Sequence, residues 1–465
     1  MYQIHFNEPC RIHFIGIGGI SMSGLAEILL QEGFWVSGSD SQTSDLTKHL
    51  EAKGAVIYCG QNYDHITDDL DAVVYTAAIH PDNPEYQAAC DKQIPLLSRA
   101  ELLGQMMANY RISVGIAGTH GKTTTTSMVT QILLETDLNP TISVGGILPS
   151  IGGNIRVGAS DVFVTEACEY TNSFLSFLPN MEVVLNIEAD HLDFFKDIDD
   201  IRHSFRLYME KLRQDGVLII NGDIRQVDEL TAGLPCRIVK VGTSPDSNEY
   251  SAAQVVFDGL ACPSFSLIHT NKDGSRQDLG TVKLSVPGIH NVYNALAAIA
   301  LCLQMGIPLP TIVAGLQKFT GTNRRFEKKG EIGGVTIIDD YAHHPQEITA
   351  TLKAAQNYPH RRIWCVFQPH TYSRTKALLD DFAAALSLAD EVVLAKIYPA
   401  RETDTLGISS ADLEHKLKER GKNAHYFSTF DEIENFLLEH CVNGDLLITM
   451  GAGDIVKVGD SLLGK

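Results

Sequence analysis

Residues 111 to 126, RISVGIAGTHGKTTTT, constrain the chain more than any other stretch. The apolar run from Ile112 to Ala117 predicts a strand, and the amphipathic run through Met128, Ile132 and Leu133 predicts the helix that follows it. A glycine-bearing loop between two such elements closes backbone N–H groups around an anion, and the helix N-terminus adds its partial positive charge. In that setting Lys122 is placed to reach the outer phosphates of a nucleotide, and Thr123 to bind Mg2+ through its hydroxyl. The loop departs from G-x-x-x-x-G-K-T. Ile116 stands where the first glycine would be, so the working glycines are Gly118 and Gly121.

A chain of 465 residues exceeds what one hydrophobic core usually supports, so two or three domains are expected. Its formal net charge of −20 argues against a general affinity for nucleic acid, which requires a basic surface. An anionic ligand must then be held by local Lys, Arg and backbone N–H groups. The nine cysteines are scattered, odd in number and without a C-x-x-C pair, which indicates neither a disulfide framework nor a zinc ribbon. The N-terminus lacks the pattern of an export signal, and no apolar run has the length of a membrane-spanning helix. A cytoplasmic protein without membrane insertion is the expectation.

From Arg11 to about Met107, short β-rich runs alternate with helical patterns, as in a parallel sheet with covering helices. A second series begins with ISVGIAG, passes through DVFVTEA and EVVLNIEADHLD, and ends in the helix opened by HNVYNALAAIALCL. Residues 216 to 286 read as further strands and loops of the same domain. The segment from Phe319 to Gly334 mixes turn residues with charge, as a domain junction would. After it, VTIIDDYAHHP, RIWCVFQPH, EVVLAKIYPARE and DLLITMGAGD are apolar strands with polar residues at their ends. In open parallel sheets ligands gather at those carboxyl ends.

Gly16, Gly18 and Gly19 follow the first strand and precede a helix, as a diphosphate ligand needs. Ser21 replaces the third glycine of G-x-G-x-x-G, and Asp40 ends the second strand where a ribose-binding acid could sit. A nicotinamide dinucleotide and a UDP-sugar both suit this loop, and tight strand–helix packing also accounts for the glycines. Glu166 closes one strand and Asp190 with His191 follows another, positions from which carboxylate and imidazole can serve Mg2+ beside the loop. Glu169 reads as a solvated loop acid. His290 and Asn291 open a helix, where Asn291 serves equally as a cap. Arg324 and Arg325 in the junction either reach a nucleotide or form a solvated basic turn. Asp340, His343 and His344 suit polar contacts to nucleotide or substrate better than zinc. His370 and Arg374 suit an anion or carboxylate. Gly451, Gly453 and Asp454 end the last strand, with a packing turn as an equal alternative.

HFIGIGGISMSGLAEIL, GTHGKTTTTSM, EACEYTNSFL, NIEADHLD, HNVYNALAA, NRRFE, DDYAHHPQE, FQPHTYSRT and GAGD together resemble the motifs of the Mur ligases of peptidoglycan synthesis, in their order and across essentially the whole chain. The resemblance implies an α/β protein of three domains. Residues 1–107 would form an N-terminal Rossmann-like domain binding a UDP-sugar. Residues 108–320 would form a central P-loop ATPase-like parallel sheet with extra strands, and residues 321–465 a C-terminal Rossmann-like domain that binds the amino acid and completes the ATP site. The implied reaction joins L-alanine to the lactyl carboxylate of UDP-N-acetylmuramate through an acyl phosphate, with ATP and Mg2+.

By motif position, Gly118, Thr119, His120, Gly121, Lys122, Thr123 and Thr124 would hold the phosphates, and Thr123, Glu166 and His191 the metal. Asn291, Arg325 and Asp340 would contact ATP. His343, His370 and Arg374 would act around the acyl phosphate and the amino acid, and Gly18, Gly19, Ser21 and Asp40 around the UDP-sugar. Lys122, Glu166, His191, Arg325, His343 and Arg374 form the implied catalytic set. Thr371 stands where some members carry Arg. A related ligase that joins a tripeptide to the same UDP-sugar is the nearest alternative, against which GIGGISMSG and YPARE argue. A nicotinamide-dependent oxidoreductase leaves the Lys122 loop unexplained. A non-catalytic ATP-binding switch leaves unexplained the polar strand ends of two further domains.

Overall fold

The computed structural model describes residues 2–76, 78–192, 194–400 and 402–465. Ala77 in AVVYTAAI, Asp193 in NIEADHLD and Arg401 in YPARE therefore lie outside the described residues. Among the described residues three sheets form, and each organises one section of the chain.

The first sheet has five parallel strands. Arg11–Ile15 lies at its centre, between Trp35–Asp40 and Ala72–Tyr75. Strand order reverses at the central strand, so the glycine loop after Ile15 opens onto the crevice where ligands bind such sheets.

The second sheet has ten strands. The strand of the phosphate loop, Ile112–Ala117, runs parallel between Val162–Ala167 and Met181–Val184. Residues 216 to 286 extend this sheet as their β-rich composition predicts, through Val217–Asn221 and Arg237–Gly242 to the antiparallel strands Tyr250–Phe257, Pro263–Thr270 and Arg276–Lys283.

The third sheet pairs Glu327–Ile332 antiparallel with Val335–Asp340, then continues in parallel through Leu446–Met450, Ile363–Phe367, Glu391–Leu394 and Asn423–Tyr426.

The helix after the phosphate loop, Lys122–Leu133, is more deeply buried than an amphipathic pattern implies. Thr125, Thr126, Ser127 and Thr130 are buried along with Met128, Val129, Ile132 and Leu133. Helices His290–Gln304 and Leu309–Lys318 pack against it. Two of these hydroxyls bond backward along the helix, Thr126 Oγ1 to Lys122 O at 2.9 Å and Thr130 Oγ1 to Thr126 O at 2.7 Å, and Ser127 Oγ accepts from Thr322 Oγ1 at 3.0 Å.

Core packing divides the molecule unequally. One apolar cluster joins Ile12, Phe14, Leu102 and Met106 of the N-terminal section to Phe163, Phe174, Phe205 and Tyr208 of the central one. The C-terminal sheet keeps its own clusters, around Ile338, Phe367 and Leu394 on one face and Ile337, Val366 and Val393 on the other. Burying each large side chain of a shared core contributes about 1.5–3 kcal/mol, so the first two sections are fused while the third is built independently.

Gly104 marks a point of close backbone approach in that fusion. A Cβ there would stand 1.9 Å from the Ser176 carbonyl oxygen, where backbone cannot give way. Gly104→Val is expected to destabilise the protein by about 3 kcal/mol or more in urea unfolding. Gly259→Ala, which meets nothing within 4 Å, should change stability by less than about 0.5 kcal/mol. Equal effects of the two substitutions would contradict the shared-core arrangement.

Candidate active site at the domain junction

The phosphate loop is shaped by its two working glycines. Gly118 has φ +148 and Gly121 φ +84, and a Cβ on Gly121 would meet Asn294 Oδ1 at 2.6 Å. Gly121 is the N-cap of the following helix and offers no side-chain cap, so the first-turn N–H groups, which have no intrahelical partner, remain suited to an anion. The loop is braced from the NIEADHLD segment. His120 N donates to Asn186 Oδ1 at 2.8 Å, and Asn186 Nδ2 donates back to His120 O at 3.0 Å. Glu188 N donates to Thr119 Oγ1 at 2.9 Å.

Lys122 turns its ammonium onto the loop and onto Glu169. Nζ donates to Gly118 O, to Thr119 O at 3.1 Å and to Glu169 Oε2 at 2.9 Å. Burial acts to lower the Lys122 pKa, but the charges of Glu169 and Glu166 outweigh it and raise the pKa above that of an ordinary lysine. Glu169 is therefore not the solvated acid its sequence position suggests. Its side chain is 2% exposed, because the chain after Ala167 turns inward at Glu169 and enters the short helix Tyr170–Ser176 over the loop.

Thr123 and Glu166 are adjacent, with Thr123 Oγ1 donating to Glu166 Oε2 at 3.2 Å and Gly145 N donating to the other carboxylate oxygen. Burial raises the Glu166 pKa against these donors. His191 holds a left-handed backbone conformation at φ +53, with Nε2 4.0 Å from Glu169 Oε1 and 3.8 Å from Asp190 Oδ2.

A cavity of about 400 Å³ opens between the central and C-terminal sections. His120, Gly121, Thr124, Asn291, Arg325 and Asp340 line it, joined by Asn186, His290 and Asn294. Its size suits a nucleotide-sized ligand.

Asn291 does not cap its helix. The N-cap is Ile289, and Asn291 Nδ2 reaches back to Pro287 O at 2.7 Å while its oxygen accepts from Asn294. Asp340 ends its strand with its carboxylate accepting from Phe326 N and Ala342 N, each at 2.8 Å, and burial pushes its pKa up to about 6.

The junction arginines divide their work. Arg324 is not a solvated turn residue. It pairs with Asp339 at 2.8 Å and donates to Gly451 O and Gly453 O, anchoring the linker to the C-terminal sheet. Arg325 faces the cavity, 3.9 Å from Glu347 and stacked over Tyr341. Gly453 and Asp454 form a packing turn: Asp454 accepts from Gln368 Nε2 at 3.0 Å, and a Cβ on Gly453 would stand 2.2 Å from Gln368 Oε1.

Across the junction, His343, His370 and Arg374 face Asp190. Arg374 NH2 lies 3.4 Å from Asp190 Oδ1 and its NH1 3.3 Å from His370 Nδ1. His370 stacks on Tyr398, and burial lowers its pKa to about 4. Burial also lowers the His343 pKa, while His191, Arg374 and His344 hold the Asp190 carboxyl down to about 2 against its own desolvation.

In the N-terminal section Gly19 caps the helix Ile20–Gln31 without a side-chain bond, which again leaves a helix N-terminus open. Gly18 N is already committed to Asp40 Oδ2 at 2.9 Å, so Asp40 shapes the loop through the N–H that a diphosphate was expected to use. Ser21 Oγ accepts from Arg99 NH1 at 3.1 Å.

Asn186, Arg99 and Glu347 are thus site residues that the sequence reading did not single out, and Glu169 is one that it weighed and read as solvated. Glu169 and Glu347 lie inside the motifs EACEYTNSFL and DDYAHHPQE, where a signal existed. Arg99 lies in no motif, and only the packing of its helix brings it to the loop.

The chain matches the sequence profiles of three domains: "Mur ligase family, catalytic domain" over residues 11–111, "Mur ligase middle domain" over 116–302 and "Mur ligase, glutamate ligase domain" over 324–453. It belongs to the Mur ligase family and is an ATP-dependent ligase. It is 61% identical to the UDP-N-acetylmuramate–L-alanine ligase of Lachnospira eligens over 463 residues and to that of Agathobacter rectalis over 465, each covering 100% of both chains. Its fold resembles the UDP-N-acetylmuramate-alanine ligase of Thermotoga maritima, with a TM-score of 0.77, 29% identity and 98% of each chain covered. A murein peptide ligase from Psychrobacter arcticus gives a TM-score of 0.68 at 25% identity, also over 98% of each chain. No helix among the described residues is long and apolar enough to cross a membrane.

Burial also lowers the pKa of His290, to about 4, with the Arg325 charge adding to the effect. In an unfolded chain His290 and His370 titrate near 6.5, so the unfolded state takes up protons first as pH falls. Their neutral burial contributes stability that is complete above about 6.5 and is lost as pH falls toward 4. His290→Asn should flatten this acid limb, read as urea midpoints at several pH values across that window. An acid limb as steep as that of the wild type would show that His290 is not buried neutral.

Proposed function

We propose that the protein joins L-alanine to the lactyl carboxylate of UDP-N-acetylmuramate, converting ATP to ADP and phosphate. The observation that carries this reading is convergence. The Lys122 loop, the Arg325 and Asp340 pair, and the His343, His370 and Arg374 group meet at one junction, with the open helix end at Gly19 belonging to the section fused beside it. The names of relatives identical at 61% of positions support alanine as the amino acid. The recycling alternative keeps one point in its favour, the full-length likeness to a murein peptide ligase.

In this reading the N-terminal section holds the UDP-sugar, the central one ATP, and the C-terminal one the amino acid. A carboxylate is a poor acylating agent, and phosphorylation by ATP gives it a leaving group. Lys122 and the open N–H groups at Gly121 offset the charge gathered as the γ-phosphoryl group moves, and Arg325 adds a second cation from the linker. Asp190 keeps Arg374 oriented toward the place where the carboxylate of L-alanine would bind. His343 and His370, held neutral by burial, present imidazole nitrogens able to accept a proton from the incoming amine.

Thr123, Glu166 and His191 would hold Mg2+. Thr123 Oγ1 and the Glu166 carboxylate, 3.2 Å apart beside the loop, offer the one or two protein oxygens that Mg2+ takes while phosphate and water complete its shell. When bound it would neutralise charge on the β- and γ-phosphates.

Incubation with ATP, UDP-N-acetylmuramate and either L-alanine or a tripeptide, with products read by mass, separates the two ligase readings. Lys122→Ala should abolish ligation, losing about 3 kcal/mol or more of transition-state stabilisation, on the scale of a lost oxyanion donor. UDP-sugar affinity by calorimetry should be largely unchanged. Ordinary turnover in that variant would refute the assignment of the loop.

A further inference from the structure

Glu347 stands at the third position of the helix Pro345–Gln356, and its carboxylate joins three parts of the molecule. Oε1 lies 3.3 Å from His120 Nδ1 in the phosphate loop and 3.9 Å from Arg325 NH1 in the linker. Oε2 lies 3.3 Å from His343 Nδ1 and accepts from His343 N at 3.0 Å. On its other side His120 meets Glu188 Oε2 of the central section at 3.2 Å. The backbone of His120 is fixed by Asn186, but its side chain is held between carboxylates from two sections that share no apolar core, with Gln346 Oε1 3.3 Å from its Nε2.

We propose that Glu347 is a positioning residue that couples the phosphate loop to the docked C-terminal section through His120, so that turnover depends on its negative charge. The inference rests on the ligase reading for its kinetic consequence. His120 is held charged, its pKa raised to about 10, because Glu188 and Glu347 together overcome the burial that would lower it. Glu347 is largely buried, and against that desolvation the charges of His120 and Arg325 help to keep its carboxyl well below the ordinary range. An imidazolium and a carboxylate buried together are strongly coupled, and losing either leaves the other uncompensated.

Glu347 also caps its helix with His344, which is the purely structural role to be separated from coupling. Glu347→Gln makes the separation, because glutamine keeps an oxygen for the cap while removing the charge. In the full chain this variant should still fold, melting several degrees below the wild type because His120 keeps only one of its two carboxylates, and it should keep KM for UDP-N-acetylmuramate within about twofold, with kcat reduced on the order of tenfold or more. His120→Asn should show the same split, and the double variant should be no slower than the slower single one, as coupled residues require.

A readout independent of turnover is NMR of the protein with isotope-labelled histidine, where His120→Asn identifies the His120 signal. The imidazole titrating near 10 in the wild type should titrate at least about one pH unit lower in Glu347→Gln. An unchanged titration overturns the proposal. So does an unchanged kcat, or losses that multiply in the double variant. Absence of wild-type turnover with L-alanine would instead fall on the ligase reading and leave the NMR result to decide this one.

Discussion

Lys122 carries its ammonium where burial strips it of most of its water, and much of the site is arranged around compensating that charge. A buried cation is costly unless paired and hydrogen-bonded. Here Glu169 and two loop carbonyls supply the partners. The same contacts draw the segment after Ala167 over the loop and bring Glu169 near His191. Glu166, three residues earlier on the strand Val162–Ala167, lies against Thr123. The phosphates of a nucleotide would offer Lys122 a denser negative charge than Glu169 does. The site is therefore organised around a cation suited to an anion, and Glu169 supplies its negative partner within the chain.

The second constraint is the unequal packing of the three sections. The N-terminal and central sections share an apolar core, which fixes the open helix end at Gly19 relative to the phosphate loop. The C-terminal section meets the central one through polar pairs: Arg374 with Asp190, His120 with Glu347, and His344 with the Ala189 carbonyl. Polar interfaces of this kind separate and re-form more readily than apolar ones, so domain motion is the natural expectation. A ligase that makes a water-sensitive intermediate benefits from that division, because substrates enter while the polar interface is open and water is excluded when it closes.

Much of this was legible in the sequence. The strand, glycine loop and helix of residues 111–133 followed from periodicity, and the extension of the central sheet through residues 216–286 followed from composition. Polar residues that end or follow strands of the central and C-terminal sheets lie near one another, as Asp190 does to Arg374 and as His120 and Asp340 do around the cavity. Other features depend on tertiary contact. Glu169 looked solvated because it lies past the strand end, and only the fold shows that it meets Lys122. Asn291 has the chemistry of a cap, but the helix begins one residue earlier and its amide turns to Pro287. Asp40 reads as a ligand-binding acid by position, yet it closes on the loop's own Gly18 N–H. Arg99 reaches Ser21 across 78 residues of chain, a contact that local pattern cannot register.

The central claim is that the substrate carboxylate itself attacks the γ-phosphate at this junction, and isotope transfer tests it most directly. UDP-N-acetylmuramate carrying heavy oxygen in both lactyl carboxylate positions would be turned over with ATP and L-alanine, and the released phosphate weighed by mass spectrometry. Because amine attack breaks the bond between the carbonyl carbon and the phosphorylated oxygen, each phosphate is predicted to leave with one heavy oxygen. Phosphate without label, or label found in AMP, would contradict the acyl-phosphate account.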